Sequence, residues 1–91
     1  MSLKILQETL GRLFDKKNGC PWHAEQSHES LSPYLIEEAY ELKGALAGTD
    51  NGALKDELGD VLLQVLLHAQ IAENQGHFTF DDVCKGLSDK I

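Results

Sequence analysis

Apolar residues recur at helical intervals along most of this chain, and no segment alternates with period two. Leu3, Leu6, Leu10, Leu13 and Phe14 stand three or four residues apart, which predicts an amphipathic helix from about Ser2 to Lys17 with Asn18-Gly19 as its stop. Cys20-Pro21-Trp22 to Ser32 carries Pro, Ser and His without a sustained period and reads as a loop with room for one helical turn. Ser32-Pro33 then has the form of an N-cap followed by proline at the first helical position, so a second long helix is predicted from there to about Ala47, ended by Gly48. Beyond the tight connection Gly48-Thr49-Asp50-Asn51-Gly52, the longest helix is expected from about Ala53 to Gln75, with Gly76 terminating it. Thr79 followed by Asp82 resembles a capping box for a last helix, Phe80 to Lys90, with Val83 and Leu87 on one side.

Short connections between helices predict antiparallel neighbours, so the fold class is all-α, an antiparallel helical bundle. The 91 residues suit one domain, 1–91, and a chain this short buries only about 60 to 65% of its unfolded surface, so a partner subunit or a metal is expected to complete it. Projecting the longest helix at about 100° per residue puts Leu54, Leu58, Val61, Leu62, Val65, Leu66, Ala69 and Ala72 on one broad face, the expected core. Leu63, Leu67 and Ile71 make its other side apolar as well, and a second subunit is the expected cover.

Charge narrows the function. Fifteen acidic residues against eight basic ones, a single arginine (Arg12) among them, give a net charge of −7, which excludes a nucleic-acid-binding surface and means that any phosphate ligand requires a metal. Cys20 and Cys84 lack the spacing of a disulfide framework, which fits a reducing cytoplasm, and Met1-Ser2-Leu3 carries no functional signal. Apolar runs such as Val61-Leu62-Leu63 stop far short of the roughly 20 residues of a bilayer span, so a membrane role is not expected.

The acidic residues are concentrated. Glu37, Glu38 and Glu41 fall within about a third of a turn on the 32–47 helix, opposite Leu35, Ala39, Leu42 and Leu46. On the next helix Glu57, Asp60, Gln64 and His68 form one polar stripe in an otherwise apolar cylinder. Setting these five acids aside leaves ten acidic residues against eight basic ones, so the net charge comes largely from the cluster. Like charges at i,i+3 or i,i+4 cost a helix roughly 0.2 to 0.5 kcal/mol per pair, and something positive is needed to compensate. Oxygen-only ligands on adjacent helices suit Mg²⁺ or Mn²⁺, hard cations that coordinate polyphosphate while keeping some waters. The alternative from spacing alone is a solvated glutamate-rich face.

Gly19-Cys20-Pro21-Trp22, Glu25-Gln26-Ser27-His28-Glu29-Ser30-Leu31, Pro33-Tyr34-Leu35-Ile36-Glu37-Glu38-Ala39-Tyr40-Glu41 and Glu57-Leu58-Gly59-Asp60 together resemble the MazG family of nucleoside triphosphate pyrophosphohydrolases. The resemblance extends to Gly76-His77-Phe78 and Ser88-Asp89-Lys90. It implies dimers that build four-helix bundles and Mg²⁺-dependent cleavage of an NTP between its α and β phosphates, giving a monophosphate and pyrophosphate in nucleotide-pool housekeeping. Carried onto this sequence, it implies Glu38, Glu41, Glu57 and Asp60 as metal ligands, Glu37 as a supporting group or base, and Lys90 in contact with phosphate. Glu37, Glu38 and Glu41 all stand as candidates for the base. Lys55 is a further candidate for phosphate and Trp22 for stacking on the nucleobase, against a surface lysine and a core-capping aromatic as the plainer readings. The chain ends at Ile91, before the basic segment usual in this family, which fits a fragment of a longer protein.

Rival readings remain distinct in what they predict. A catalytically silent helical interaction or regulatory module would keep the metal site without turnover, and a carboxylate-bridged redox protein would hold coloured iron or manganese. Glu25 and His28 form only one E-x-x-H pair where a di-iron bundle needs two, and Cys20, His23 and His28 lack a fourth ligand for zinc. His68 reads as a helix-interface histidine holding one hydrogen bond.

Overall fold

Five helices, and no strand among the described residues, make up the computed structural model, which describes residues 2–15 and 17–91. They are α1 (Ser2–Leu13), α2 (Pro21–Ala24), α3 (His28–Ala47), α4 (Asn51–Asn74) and α5 (Phe80–Lys90). Helix α1 ends at Leu13, earlier than its apolar period suggests; Lys16, within the predicted helix, and Met1 lie outside the described residues. The Asn18-Gly19 signal acts on the turn that follows instead. A Cβ on Gly19 would press into the carbonyl oxygens of Arg12, Leu13 and Asp15, so only glycine lets the chain fold back there. Pro21 then occupies the first turn of α2, where its missing N–H costs nothing.

Helix α3 corrects the expected boundary. It starts at His28, four residues before Ser32, because Ser27 and Ser30 form a reciprocal capping box: Ser30 N donates to Ser27 Oγ at 3.1 Å and Ser27 N to Ser30 Oγ at 2.8 Å. Pro33 therefore lies inside the helix, where it cannot donate to the Glu29 carbonyl. The capping box and Leu31, 1% exposed in the core, hold the first turn against that loss.

The other termini follow their local chemistry. Asp50 caps α4 by accepting from Gly52 N at 2.9 Å and Ala53 N at 3.2 Å, two residues ahead of the predicted start. At its far end Gly76 takes φ +75°, with His77 N donating to the Ala72 carbonyl and Gly76 N to that of Glu73, the pattern of a left-handed helix stop. Thr79 and Asp82 make the expected capping box, and α5 runs Phe80–Lys90 as predicted.

Helices α3 and α4 pair antiparallel through their short connection, and α1 and α5 pack on α4. The core consists of Leu10, Phe14, Leu31, Leu66, Leu67 and Ile71, with Leu6, Leu13 and Phe80 against it. Burial on α4 divides along its length rather than by face, which corrects the projection. Every buried residue of α4 lies from Gln64 onward, including Leu67 and Ile71, which pack with Leu10 of α1 and Phe14 rather than awaiting a second subunit. Leu58 (51% exposed), Leu62, Leu63 and Val65, three of them expected in the core, are open to solvent. On α3 only Leu31 is buried, and Leu35, Ile36, Tyr40 and Leu46 are exposed.

Residues 33–63 thus form a helical hairpin that projects from a small core and has little interior of its own. The molecule shows it in bulk: its surface is 6699 Å² against about 5,300 Å² for a compact monomer of this mass. Its radius of gyration, 14.3 Å, exceeds the ~12 Å of a globule of this length.

The α3 boundary can be tested directly. Ser27→Ala is expected to lower unfolding free energy by about 1 kcal/mol in urea melts, whereas Ser32→Ala changes it by less than about 0.5 kcal/mol. The opposite ranking would place the cap at Ser32.

Candidate metal centre

The carboxylates come together on the projecting hairpin. Glu38 and Glu41 lie one turn apart on α3, and Glu57 and Asp60 one turn apart on α4, so helical periodicity puts each pair on the face turned to the other helix. One oxygen from each of the four lies within 4.8 Å of all the others. Glu38 and Glu57 are half-buried, Glu41 and Asp60 exposed, so the cluster has an inner and an outer edge.

No ion pair neutralises it among the described residues. Among the described residues the one ion pair is Lys85–Asp89 at 3.0 Å on α5, and the inner Oε2 atoms of Glu38 and Glu57 are buried without a hydrogen-bond partner. Desolvation is the largest influence holding the Glu38 carboxyl above its ordinary 4.5, followed by Glu41, Asp60 and Glu57. Glu57 is raised likewise, by desolvation first and then by Glu41 and Asp60. Converging oxygens, orphaned inner atoms and uncompensated negative charge fit a hard divalent cation with open positions for water or phosphate.

The remaining sequence candidates are dispersed. Glu37, next to Glu38 in the chain, is exposed and outside the converging set. Lys55 is exposed near the start of α4, and Lys90 is exposed in the last turn of α5; neither forms an ion pair. Trp22 is 46% exposed and meets His23 edge-on at 5.0 Å and Tyr34 at 6.0 Å, so half of its surface is open to a ligand and half is packed.

Two features were not foreseen. Tyr34 joins Trp22 through α3, and His28 provides the hydrogen bond to His68, Nδ1 to Nδ1 at 2.8 Å. The pairing follows from the antiparallel register once α3 begins at His28: His28 precedes Glu38 on α3 much as His68 follows Glu57 and Asp60 on α4. Placing the helix start at Ser32 hid it.

The motif defining the MazG nucleotide pyrophosphohydrolase domain matches residues 26–91. The chain is 50% identical over 90 residues to the "Nucleoside triphosphate pyrophosphohydrolase/pyrophosphatase MazG" of Thermotoga maritima, covering 96% of this chain and 35% of that protein. It is 48% identical over 80 residues to the "Nucleoside triphosphate pyrophosphohydrolase" of Escherichia coli K12, covering 88% of this chain and 30% of the relative. Identity is 60% over 74 residues to the "Uncharacterized protein YabN" of Bacillus subtilis, covering 81% of this chain and 15% of that protein. The chain therefore spans about a third or less of the length of these relatives. None of its described helices is long and apolar enough to cross a membrane.

The raised carboxyls fix a pH dependence for the metal-free protein. A carboxyl whose folded pKa lies above its unfolded value gives stability that is present below 4.5 and is lost as pH rises through the folded value. In EDTA the thermal midpoint is expected to fall as pH rises above 4.5, and Glu38→Gln should flatten that fall and raise the midpoint at neutral pH. An unchanged slope in the variant would show that the cluster carries no such repulsion.

Proposed function

We propose that this chain, which belongs to the MazG nucleotide pyrophosphohydrolase domain family, cleaves nucleoside triphosphates between the α and β phosphates with Mg²⁺, or Mn²⁺, held by Glu38, Glu41, Glu57 and Asp60. The observation carrying this reading is the convergence of these four carboxylates with no ion pair to them among the described residues, in a domain whose relatives in Escherichia coli and Thermotoga maritima bear pyrophosphohydrolase names. An acidic, arginine-poor chain needs a cation beside its few lysines to hold a triphosphate. When bound, the cation would offset the phosphate charge, polarise the α-phosphorus and favour ionisation of a water molecule.

The protein's part is positional and acid–base. Two rigid helices fix the carboxylates, so little reorganisation is needed as charge develops. Water adds to the α-phosphorus, the bond to the bridging oxygen breaks, pyrophosphate leaves, and the water's proton passes to a carboxylate. Glu37, Glu38 and Glu41 are the candidates for that base; the exposed Glu37, free of the converging set, can act without giving up a ligand. Lys55 and Lys90 are assigned to phosphate and the exposed part of Trp22 to the base, each on its exposure and charge or ring. The expected role is nucleotide-pool housekeeping in the cytoplasm.

The catalytic unit is proposed to be a dimer. The open residues Leu35, Leu58, Leu62 and Leu63 lie on the hairpin that lacks a core, and two such hairpins would give the four-helix bundle that the family resemblance implies. The surface excess over a compact monomer exceeds the roughly 800 Å² per partner that a standard interface buries.

Phosphorus NMR of NTP and dNTP mixtures should show monophosphate plus pyrophosphate with Mg²⁺ and no reaction in EDTA. Asp60→Asn is expected to lower turnover by roughly a hundredfold or more, the scale of losing several kcal/mol of charge stabilisation. Orthophosphate plus diphosphate would contradict the assignment, and metal binding without turnover would favour a silent regulatory module. Leu62→Glu is expected to convert a dimer to monomer in sedimentation equilibrium; an unchanged mass, or a monomeric parent, would refute the interface.

A further inference from the structure

The polar stripe of α4 ends on His68, beyond the carboxylate cluster, against His28 in the first turn of α3. The two rings are parallel to within 7°, with centroids 5.0 Å apart, while their Nδ1 atoms are only 2.8 Å apart. The nitrogens therefore lie between the centroids, close to the line joining them, and the rings meet edge to edge. Because the lone pair or N–H of Nδ1 lies in the ring plane, the two groups point at each other. This geometry accommodates one proton. With none, two lone pairs oppose; with two, both nitrogens are donors and neither can accept. The same alignment offers no off-axis point on which both lone pairs converge, so a shared metal ion does not fit.

We propose that His28 and His68 form a single-proton latch that pins the first turn of α3 to α4 near neutral pH and opens when both imidazoles are protonated. The surroundings oppose the second proton. Both rings line an apolar cleft of about 280 Å³ with Leu35, Val65, Ala69, Phe78 and Val83, which offers no carboxylate. His68 Nε2 is buried without an acceptor, and burial, followed by the His28 charge, holds the His68 pKa below its ordinary 6.5.

Titratable and charged groups on the adjoining elements include His23 and Glu25 before α3, Glu29 on α3, Glu73 on α4, His77 in the α4–α5 connection, and Asp81, Asp82, Cys84 and Lys85 on α5. Among the described residues no hydrogen bond or ion pair joins any of them to either imidazole; Asp82 is committed to the Thr79 cap. Stability from the neutral His68 is present above 6.5 and is lost as pH falls through its lowered folded value. Pro33 increases the importance of the latch, because the turn carrying His28 lacks the backbone bond a proline cannot donate.

The test is a nitrogen-15 NMR titration of the intact chain. A coupling across the N–H···N bond between the two Nδ1 atoms is expected at about pH 8 and should vanish on acidification, once the pair takes up its second proton. His28→Gln, an exposed change, should abolish the coupling and raise the His68 titration midpoint by removing the like charge. Protection of the amides of 29–32 from exchange, normalised to intrinsic rates, should drop on acidification in the parent and be low at both pH values in the variant. Absence of the coupling at about pH 8, its persistence after the His68 ring has titrated, or a His68 midpoint unmoved by His28→Gln would each overturn the latch.

Discussion

Mutual repulsion among four carboxylates on two facing helices is the constraint on which the rest of this molecule turns. Bringing Glu38, Glu41, Glu57 and Asp60 within 4.8 Å of one another opposes the pairing of α3 with α4, and partial desolvation of the inner two makes it worse. Proteins keep such arrangements where something bound offsets them. The orphaned inner oxygens show that hydrogen bonds within the protein do not. Stability and function are thus opposed at the same residues: what weakens the metal-free hairpin is what would hold a cation and, through it, a polyphosphate.

A second constraint follows from where the cluster sits. The core gathers the beginning of α3, the later half of α4, α1 and the start of α5, leaving the carboxylate end of the hairpin without an interior. Leu35, Leu58, Leu62 and Leu63 are open on the hairpin. A proposed second copy would cover apolar surface and stiffen the helices that carry the acids, so assembly and site formation would be one event. At the other end, the capping box of Ser27 with Ser30, buried Leu31 and the two histidines hold α3 to α4 in spite of Pro33.

The sequence was most legible where local chemistry is unambiguous. Thr79 with Asp82, and Gly76 at positive φ, mark their helix ends through bonds within a few residues, and α5 falls where predicted. Ser32-Pro33 misled because an N-cap followed by proline is a strong local signal, while the real cap uses serine rather than Glu or Gln at its third helical position. Helix α4 misled for another reason. It is apolar nearly all round, so periodicity could not distinguish a half surrounded by α1, α3 and α5 from a half that meets α3 alone. The carboxylate pairs could be placed on facing helices because i,i+3 spacing survives an error in the helix start. The His28–His68 contact could not, since it depends on that start.

The most direct measurement of the central claim is Mn²⁺ binding to the purified chain, followed by the electron spin resonance of the free ion and repeated with Glu57→Gln. Saturable binding that the variant largely loses, and that Mg²⁺ displaces, is the predicted result. A chain that leaves the Mn²⁺ signal unchanged, or a variant that binds as well as its parent, would contradict the account of the acidic cluster as a metal centre.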